Sequence, residues 1–325
     1  MATEAGGVLG SAVVRRRLLG LVLGAVAAAV ALALAELALR AIGLGDPILY
    51  ENRASYGYRP LPDQSRRRLF GARVHVNSLG LRGPEPPAGA LRLLFLGDSV
   101  TWGGSAVDDR ELFAAVAADT VAARLGDRAP AVAPLDAGVN GWGPQNVLAL
   151  LEEHGGFGSA VWVLTLIEDD FRRDKTRTGE VPYFNVAPTT ALEELAVLAA
   201  YKVVTAYKRP KPDADLERIA SDNLAACARI FALARDADAR LLVVWHPTAP
   251  ALAGTERQPN RARLATVADA AGVPLLDLGA VYSTAGEGLY ADGLHLSVAG
   301  HRVAGRAIGE RLAALLAETA APPDR

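Results

Sequence analysis

The chain has 325 residues, of which 51% are hydrophobic and 22% charged, a balance typical of a globular protein with a large core. Its 34 basic and 36 acidic residues leave a net charge of −2, so no excess of positive charge favours a nucleic-acid partner. Cys227 is the single cysteine, which excludes an internal disulfide and any metal site built from several cysteines.

The first predicted element is a membrane-crossing helix. Three arginines at 15–17 precede an apolar run from Leu18 to Leu44 that only Glu36 and Arg40 interrupt. At about 1.5 Å per helical residue, this run can cross a hydrocarbon core of roughly 30 Å. The arginines predict a cytoplasmic segment 1–17, which places everything after residue 44 outside the cytoplasm. Small residues at 31–35 leave a cleaved signal peptide open, and a buried soluble helix is a third reading.

The next segment, residues 45–90, is rich in proline, glycine and arginine. Val74, Val76, Leu79 and Leu81 give it apolar side chains to bury. The segment is therefore predicted to form turns and short strands close to the membrane rather than a free linker.

The remaining chain, residues 91–320, shows apolar runs that alternate with helical patterns. This alternation predicts an α/β fold with a parallel sheet covered by helices on both faces. The predicted strands are 91–97, 132–137, 160–167, 241–246 and 274–278, and the predicted helices are 111–125, 144–153, 214–238, 258–271 and 298–317. Active sites in such sheets lie at the carboxyl ends of the strands, so residues that follow the strands are expected to converge.

An insertion at residues 171–213 interrupts the alternation and is predicted to form a lid or a substrate wall. It contains a helical stretch at 190–207 and the basic residues Arg172, Arg173, Lys175 and Arg177. Such a basic run is most often a solvated face, and an attraction for an anionic glycan or lipid headgroup is the alternative.

Two separate segments carry residues suited to acyl transfer. Ser99 follows the strand 91–97, and a serine nucleophile needs a nearby base and donors for the oxyanion that it creates. Asp292 and His295, near the end of the chain, are candidates for the orienting carboxylate and the base. The alternatives are that Ser99 only caps the helix that follows it and that His295 only flanks a helix.

Two further histidines and a run of carboxylates have simpler interpretations. His246 follows another predicted strand and is a candidate pocket residue, whereas His301 on the last predicted helix is expected to be structural. The carboxylates at 168–170 are consecutive and cannot all point inward, and no pair of histidines has ligand spacing. The sequence therefore predicts no metal and no cofactor.

The Gly97-Asp98-Ser99 turn and the Asp292-x-x-His295 pair resemble the first and last sequence blocks of the SGNH hydrolases, also called the GDSL esterase and lipase family. The resemblance spans about residues 91–316 and implies a three-layer, flavodoxin-like α/β domain. It implies that Ser99 is the nucleophile, His295 the base and Asp292 the residue that orients the base. Residues 36–40 and 77–83 resemble features of bacterial, membrane-tethered members.

The two middle blocks of that family have counterparts with one departure. The loop at 135–143 looks like the second block, which implies that Gly141, or alternatively Gly138, gives a backbone N–H to the oxyanion. Residues 163–171 look like the third block, usually Gly-x-Asn-Asp, but Asp169 stands at the asparagine position. An ionised carboxylate accepts hydrogen bonds where an amide would donate one. Asp169 could donate if burial raised its pKa, or Asn140 could supply the amide instead.

The resemblance thus implies an extracytoplasmic serine esterase that removes acyl groups, first of all acetyl groups, through an acyl-enzyme. Its location points to acyl esters on cell-envelope glycans as substrates. An O-acyltransferase that uses the same site stays open, because both reactions pass through one intermediate. The departure at Asp169 also leaves open a non-catalytic envelope binding protein that retains the fold.

Overall fold

The computed structural model describes residues 5–126, 129–175, 185–206 and 212–318. Most of the insertion lies within these ranges. Its positions 176–184 and 207–211, which include Arg177, lie outside the described residues.

The N-terminal helix, α1 (Ala5–Ala41), contains the apolar stretch predicted to cross a membrane. Its part Val14–Ala41 is long and apolar enough for a membrane span, with a mean hydropathy of 2.6. The predicted end at Leu44 is wrong, because α1 stops at Ala41 and Leu44 is buried. Gly43 adopts a left-handed φ of +97°, and a Cβ there would collide with the backbone of Arg68, so the chain turns away at this glycine.

The segment after α1 forms two small antiparallel hairpins, as its turn-rich sequence predicts. Strands β1 (Tyr50–Arg53) and β2 (Gly57–Pro60) make one pair, and β3 (Gln64–Arg67) and β4 (Arg73–Val76) make the other. Val74, Val76 and Leu81 are buried, which confirms that the segment is not a free linker. The segment also docks on the main sheet, since Arg82 and Asp136 exchange backbone hydrogen bonds of 2.8 and 3.2 Å.

The main sheet has five parallel strands in the order β6-β5-β7-β8-β9. The strands are β5 (Leu91–Gly97), β6 (Val132–Gly138), β7 (Val161–Leu166), β8 (Arg240–Trp245) and β9 (Leu275–Asp277). Successive side chains point to opposite faces of a strand, so Leu94 and Leu96 enter one core while Leu93 and Phe95 enter the other. Two apolar cores therefore flank one sheet.

Helices cover both faces and complete a three-layer α/β domain, which confirms the predicted fold. The helices after α1 are α2 (Ser99–Trp102), α3 (Phe113–Leu125), α4 (Pro144–His154), α5 (Ala191–Ala206), α6 (Asp213–Asp236), α7 (Ala249–Leu252), α8 (Pro259–Ala270), α9 (Leu278–Ala285) and α10 (Val298–Glu318). Helices α4, α6 and α8 pack on one face, and α3, α9 and α10 pack on the other. Short 3-10 turns at Leu69–Gly71, Asp109–Glu111 and Glu168–Arg172 join the larger elements.

Candidate active site

Ser99 lies at the sharp turn between β5 and α2. The Asp98 side chain caps α2, because its Oδ1 accepts a hydrogen bond of 2.9 Å from the Val100 N–H. Ser99 is therefore not the capping residue. At Gly97, where φ is +156°, a Cβ would lie 2.7 Å from the Thr165 carbonyl oxygen, so glycine is required for the turn to approach β7 this closely.

Ser99, His295 and Asp292 form one hydrogen-bonded chain, although Ser99 and His295 are 196 residues apart in sequence. His295 Nε2 lies 2.8 Å from Ser99 Oγ, and His295 Nδ1 lies 2.8 Å from Asp292 Oδ2. The carboxylate favours the tautomer with hydrogen on Nδ1, which leaves Nε2 as the acceptor for the Ser99 hydroxyl. This is the geometry of a nucleophile, a base and a residue that orients the base.

Asp292 also fixes the backbone of the loop that carries His295. Its Oδ1 accepts hydrogen bonds from the N–H groups of His295, at 2.8 Å, and Leu294, at 3.1 Å. Partial burial opposes ionisation of this carboxyl group, but the hydrogen bonds from His295 and Leu294 outweigh it and hold the pKa of Asp292 below its usual value. Asp292 is therefore ready to stabilise a protonated imidazole.

The loop after β6 starts next to the end of β5, where the Val139 N–H donates to the Gly97 carbonyl at 3.2 Å, and two side chains hold it further along. The Tyr58 hydroxyl donates to the Asn140 carbonyl, and Arg173 Nη1 donates to the Trp142 carbonyl at 3.1 Å. Between these two contacts, Gly141 has a left-handed φ of +75°, which favours glycine. The backbone that would face an oxyanion is thus fixed by side chains from two other segments.

The backbone N–H of Gly138, the alternative donor to the oxyanion, already has a hydrogen-bond partner. Its N–H donates to Asp136 Oδ1 at 2.8 Å. A Cβ on Gly138 would lie 2.5 Å from the Trp102 backbone nitrogen, so this glycine allows close packing of α2 on β6. Gly141 remains as the candidate from the second block.

Asp169 was expected to donate a hydrogen bond only if its side chain were buried, and the side chain is exposed. Its side chain is 57% exposed, and its Oδ2 accepts a hydrogen bond of 2.9 Å from Arg173 Nη2. In this contact the Asp169 side chain is an acceptor, not a donor.

The solvated-face interpretation of the basic run is wrong for Arg173, whose side chain is only 20% exposed. Arg173 Nη1 donates to Asp98 Oδ2 at 3.0 Å and to Asp170 Oδ1 at 2.8 Å. Both of these carboxylates are buried, and a buried carboxylate needs a bound cation to offset its lost hydration. Arg173 thereby joins residues that follow β5, β6 and β7.

The three consecutive carboxylates do not all point inward, as their spacing predicts: Glu168 and Asp170 are buried, whereas the Asp169 side chain is 57% exposed. Burial and the charge of Asp98 raise the pKa of Asp170 well above its usual value, against the effect of Arg173. Glu168 turns toward α8, where its oxygens accept from the Asn260 N–H at 3.1 Å and the Asn260 side-chain amide at 2.6 Å. Within the described part of the chain, no group of three histidine, cysteine or acidic side chains is placed to hold a metal ion.

His246 is buried and does not line a pocket, so the pocket interpretation is wrong. Its Nε2 donates to the Leu294 carbonyl at 2.9 Å, and its Nδ1 accepts from the Tyr282 hydroxyl at 3.0 Å. Burial lowers the pKa of His246 to about 4. This neutral imidazole therefore supports the loop with Asp292 and His295 from inside the domain.

His301 is structural, as expected, because its buried Nδ1 accepts from the Phe113 N–H at 3.1 Å.

A three-layer α/β domain with a hydrogen-bonded serine, histidine and aspartate at the strand ends is the arrangement of a serine hydrolase. The model of the GDSL-like Lipase/Acylhydrolase family matches residues 95–303, and the chain belongs to this family. The protein is accordingly a serine hydrolase that acts on ester bonds.

Several solved structures are similar to this chain. TesA is 19% identical over 68% of this chain and 97% of its own, with a TM-score of 0.45. A lipase/acylhydrolase from Enterococcus faecalis is 18% identical over 69% and 96%, with a TM-score of 0.44. Axe2, an acetylxylan esterase from Geobacillus stearothermophilus, is 15% identical over 68% and 93%, with a TM-score of 0.43. No curated protein sequence matches the chain.

Proposed function

We propose that this protein is a membrane-anchored, extracytoplasmic serine esterase that removes acyl groups, first of all acetyl groups, from cell-envelope glycans. The contact that carries the proposal is the 2.8 Å separation of Ser99 Oγ and His295 Nε2. A serine hydroxyl is a weak nucleophile unless a base is in hydrogen-bond reach, and here the base is itself held by Asp292.

In the first half of the reaction, Ser99 Oγ attacks the ester carbonyl carbon while its proton passes to His295 Nε2. The imidazolium then gives this proton to the leaving alkoxide as the carbon–oxygen bond of the ester breaks. In the second half, water attacks the acyl-serine, and His295 takes a proton from the water and returns it to Ser99 Oγ. Asp292 remains ionised and stabilises the imidazolium in both halves.

The oxyanion is proposed to face the N–H groups of Ser99 and Gly141 and one side-chain donor. Asn140 is favoured over Asp169 as that donor, because Asp169 Oδ2 already accepts a hydrogen bond from Arg173. Loss of one oxyanion donor costs on the order of 10²–10³ in kcat in other serine hydrolases. A working replacement for the family's usual asparagine therefore matters for the rate.

The location is proposed from α1 and its flanking charges. The helix has an exposed apolar surface from Leu18 to Leu37, and Arg15, Arg16 and Arg17 precede it. Cytoplasmic segments next to membrane spans are enriched in such positive charges, so the catalytic domain is placed on the opposite side. Acyl esters of envelope glycans are the substrates proposed for a domain in that location.

The test uses the full chain in detergent micelles with p-nitrophenyl acetate and a labelled fluorophosphonate. We expect Ser99→Ala to lose turnover by at least about 10³-fold and to form no adduct, because the nucleophile is gone. The matched control is Ser283→Ala, which removes an exposed hydroxyl on α9 and should leave both readouts unchanged. Equal turnover in the wild type and Ser99→Ala would remove the esterase proposal in favour of a binding protein.

Addition of a glycan acceptor, with mass spectrometry of the products, separates hydrolysis from acyl transfer.

A further inference from the structure

The C-terminal end of α1 is bonded into the catalytic domain. The Glu36 carboxylate accepts hydrogen bonds from the N–H groups of Ala191, at 2.9 Å, and Leu192, at 3.0 Å. These are the first residues of α5, whose N-terminal N–H groups have no partner within their own helix. Arg40 completes the contact by pairing with Glu36 at 2.6 Å. Helix α5 therefore begins at the level of the last turns of α1.

A buried ion pair forms a second link between the same segments. The side chains of Arg68 and Glu194 are 5% and 2% exposed and bind each other. Glu194 also accepts from the Gly45 N–H at 2.6 Å, and Arg68 donates to the Gly43 carbonyl at 2.6 Å. The end of α1, the loop after β3 and the start of α5 are thus one interlocked unit.

Apolar side chains project outward from this unit. Phe70 is 82% exposed and has a left-handed φ of 55°, a conformation that a bulky residue rarely adopts. Its N–H donates to the Ile42 carbonyl at 3.1 Å, so the ring stands beside the end of α1. Ile42 is itself exposed, and Arg67, with its guanidinium near Gly71, is an exposed cation in the same loop.

Helix α5 also leaves apolar surface uncovered. Leu195, Val197, Val203 and Val204 are exposed, the last two to 59% and 61%. Among the described elements, α5 makes its most extensive contacts with α1 rather than with the sheet or its covering helices. These side chains lie on more than one side of α5, so the helix exposes apolar groups around much of its circumference next to the end of α1.

We propose that Ile42, Phe70 and the exposed apolar residues of α5 form a membrane-facing collar that enters the headgroup and acyl boundary of the bilayer that α1 crosses. The proposal rests on the proposed membrane anchoring by α1. The occupant is a phospholipid bilayer because Ile42 directly follows α1, whose apolar side chains are exposed as far as Leu37, and both Phe70 and α5 contact this end of the helix. Arg40 and Arg67, both exposed cations, suit the phosphate headgroups at this depth.

The collar would hold the catalytic domain at a fixed height and orientation above the membrane. A helix that only tethers its domain lets the active site sample a wide volume. Here, contacts of α1 with both α5 and the loop after β3 restrict that freedom, so Ser99 would reach esters in a layer close to the bilayer surface.

The experiment uses single-cysteine variants of the full chain. Because Cys227 is buried, a Cys227→Ala background removes the one native thiol with little change in volume. In this background, Phe70→Cys and Val203→Cys are labelled with the environment-sensitive dye NBD and reconstituted in vesicles of phosphatidylcholine and phosphatidylglycerol. Ser283→Cys on α9 is the matched exposed control.

We expect blue-shifted emission at positions 70 and 203, with loss of most of that emission when doxyl-labelled lipids are included. The control at 283 should keep the emission of a dye in water and should not respond to doxyl-labelled lipids. Aqueous emission at 70 and 203 in vesicles that retain the chain after a carbonate wash overturns the collar while the anchor stands. Release of the chain by the wash overturns both the collar and the membrane anchor. Neither result changes the outcome of the esterase assay.

Discussion

The carboxylate of Asp169 stands where the resemblance to the third sequence block predicts an amide, and it is bound by Arg173. The guanidinium binds Asp169 at 2.9 Å while it also binds Asp98 and Asp170. The negative charge of Asp169 is therefore compensated by Arg173. What the pair does not supply is the hydrogen-bond donor that an asparagine would offer.

We expect Asp169→Asn to raise kcat by about 10-fold, because the amide supplies an oxyanion donor and removes a negative charge from the site. The measurement is kcat and KM for p-nitrophenyl acetate. The matched control is Asp174→Asn, which makes the same change at an exposed carboxylate paired with Arg218 and should leave kcat unchanged. A large drop in Asp169→Asn, with the control unchanged, would show that the carboxylate has a catalytic task of its own.

At the scale of elements, the end of β8 supports the loop that carries Asp292 and His295. His246 follows β8 directly, and its bonds to Leu294 and Tyr282 require the neutral imidazole, since Nε2 donates while Nδ1 accepts. A second contact comes from the Tyr290 hydroxyl, which donates to the Pro247 carbonyl at 2.6 Å. Contacts at Tyr290 and Leu294 thus hold this loop to the residues that follow β8.

Acid should destabilise the protein through His246. Burial lowers its pKa from about 6.5 in the unfolded chain to about 4 in the folded one. Between these values the unfolded chain binds a proton that the folded chain does not, so the free energy of unfolding falls as the pH falls. A shift of this size corresponds to about 3 kcal/mol, present above pH 6.5 and lost as the pH approaches 4.

We expect His246→Gln, which retains an N–H for the Leu294 carbonyl, to lose this part of the pH dependence. The measurement is urea unfolding of the full chain in detergent at pH 7 and pH 4.5. His75→Gln, at a half-buried position on β4, is the control and should show the wild-type decrease. An equal decrease in His246→Gln and the wild type would assign the acid sensitivity to other groups.

The five parallel strands could be predicted because each is an apolar run followed by a helical pattern, and the predicted bounds differ from the observed ones by at most one residue at either end. Strand β7, predicted at 160–167, is Val161–Leu166, for example. Helix α9 was not predicted. It has only eight residues and follows β9 without a break, so its formation depends on packing more than on its own sequence.

The convergence of Ser99 with Asp292 and His295 could be predicted, because the carboxyl ends of parallel strands meet at one edge of the sheet. The partners of Arg173 could not, since Asp98 lies 75 residues away. The spacing of Arg173 from Asp169 and Asp170 was the available signal, but three- and four-residue spacings also occur on solvated helical faces. For His246, the sequence indicates a strand end but not which way the side chain points.

At the scale of the whole molecule, the described contacts make α1 part of the fold. Helix α1 continues without a break through the small residues at 31–35, and its last turns bind α5 through Glu36. The Arg68–Glu194 pair then connects residues just after α1 to α5.

The buried Arg68–Glu194 pair is expected to decide how firmly the helix and the domain are joined. Glu194→Gln leaves a buried guanidinium without its counter-charge, a loss that costs roughly 3–5 kcal/mol in other buried pairs. The matched control is Glu310→Gln, which breaks the exposed pair with Arg124 and should cost less than about 1 kcal/mol.

The two variants are compared by urea unfolding and by the rate of tryptic cleavage after Arg40, with the full chain in detergent. Glu194→Gln should be less stable and should be cut faster at Arg40, because the chain after α1 loses its contacts with α5. Arg68→Met combined with Glu194→Leu should be more stable than Glu194→Gln, because replacement of both charges by apolar groups leaves no unpaired buried ion. Equal stability and equal cleavage in Glu194→Gln and Glu310→Gln would mean that the ion pair does not join α1 to the domain, and the fixed orientation of the active site above the membrane would lose its structural basis.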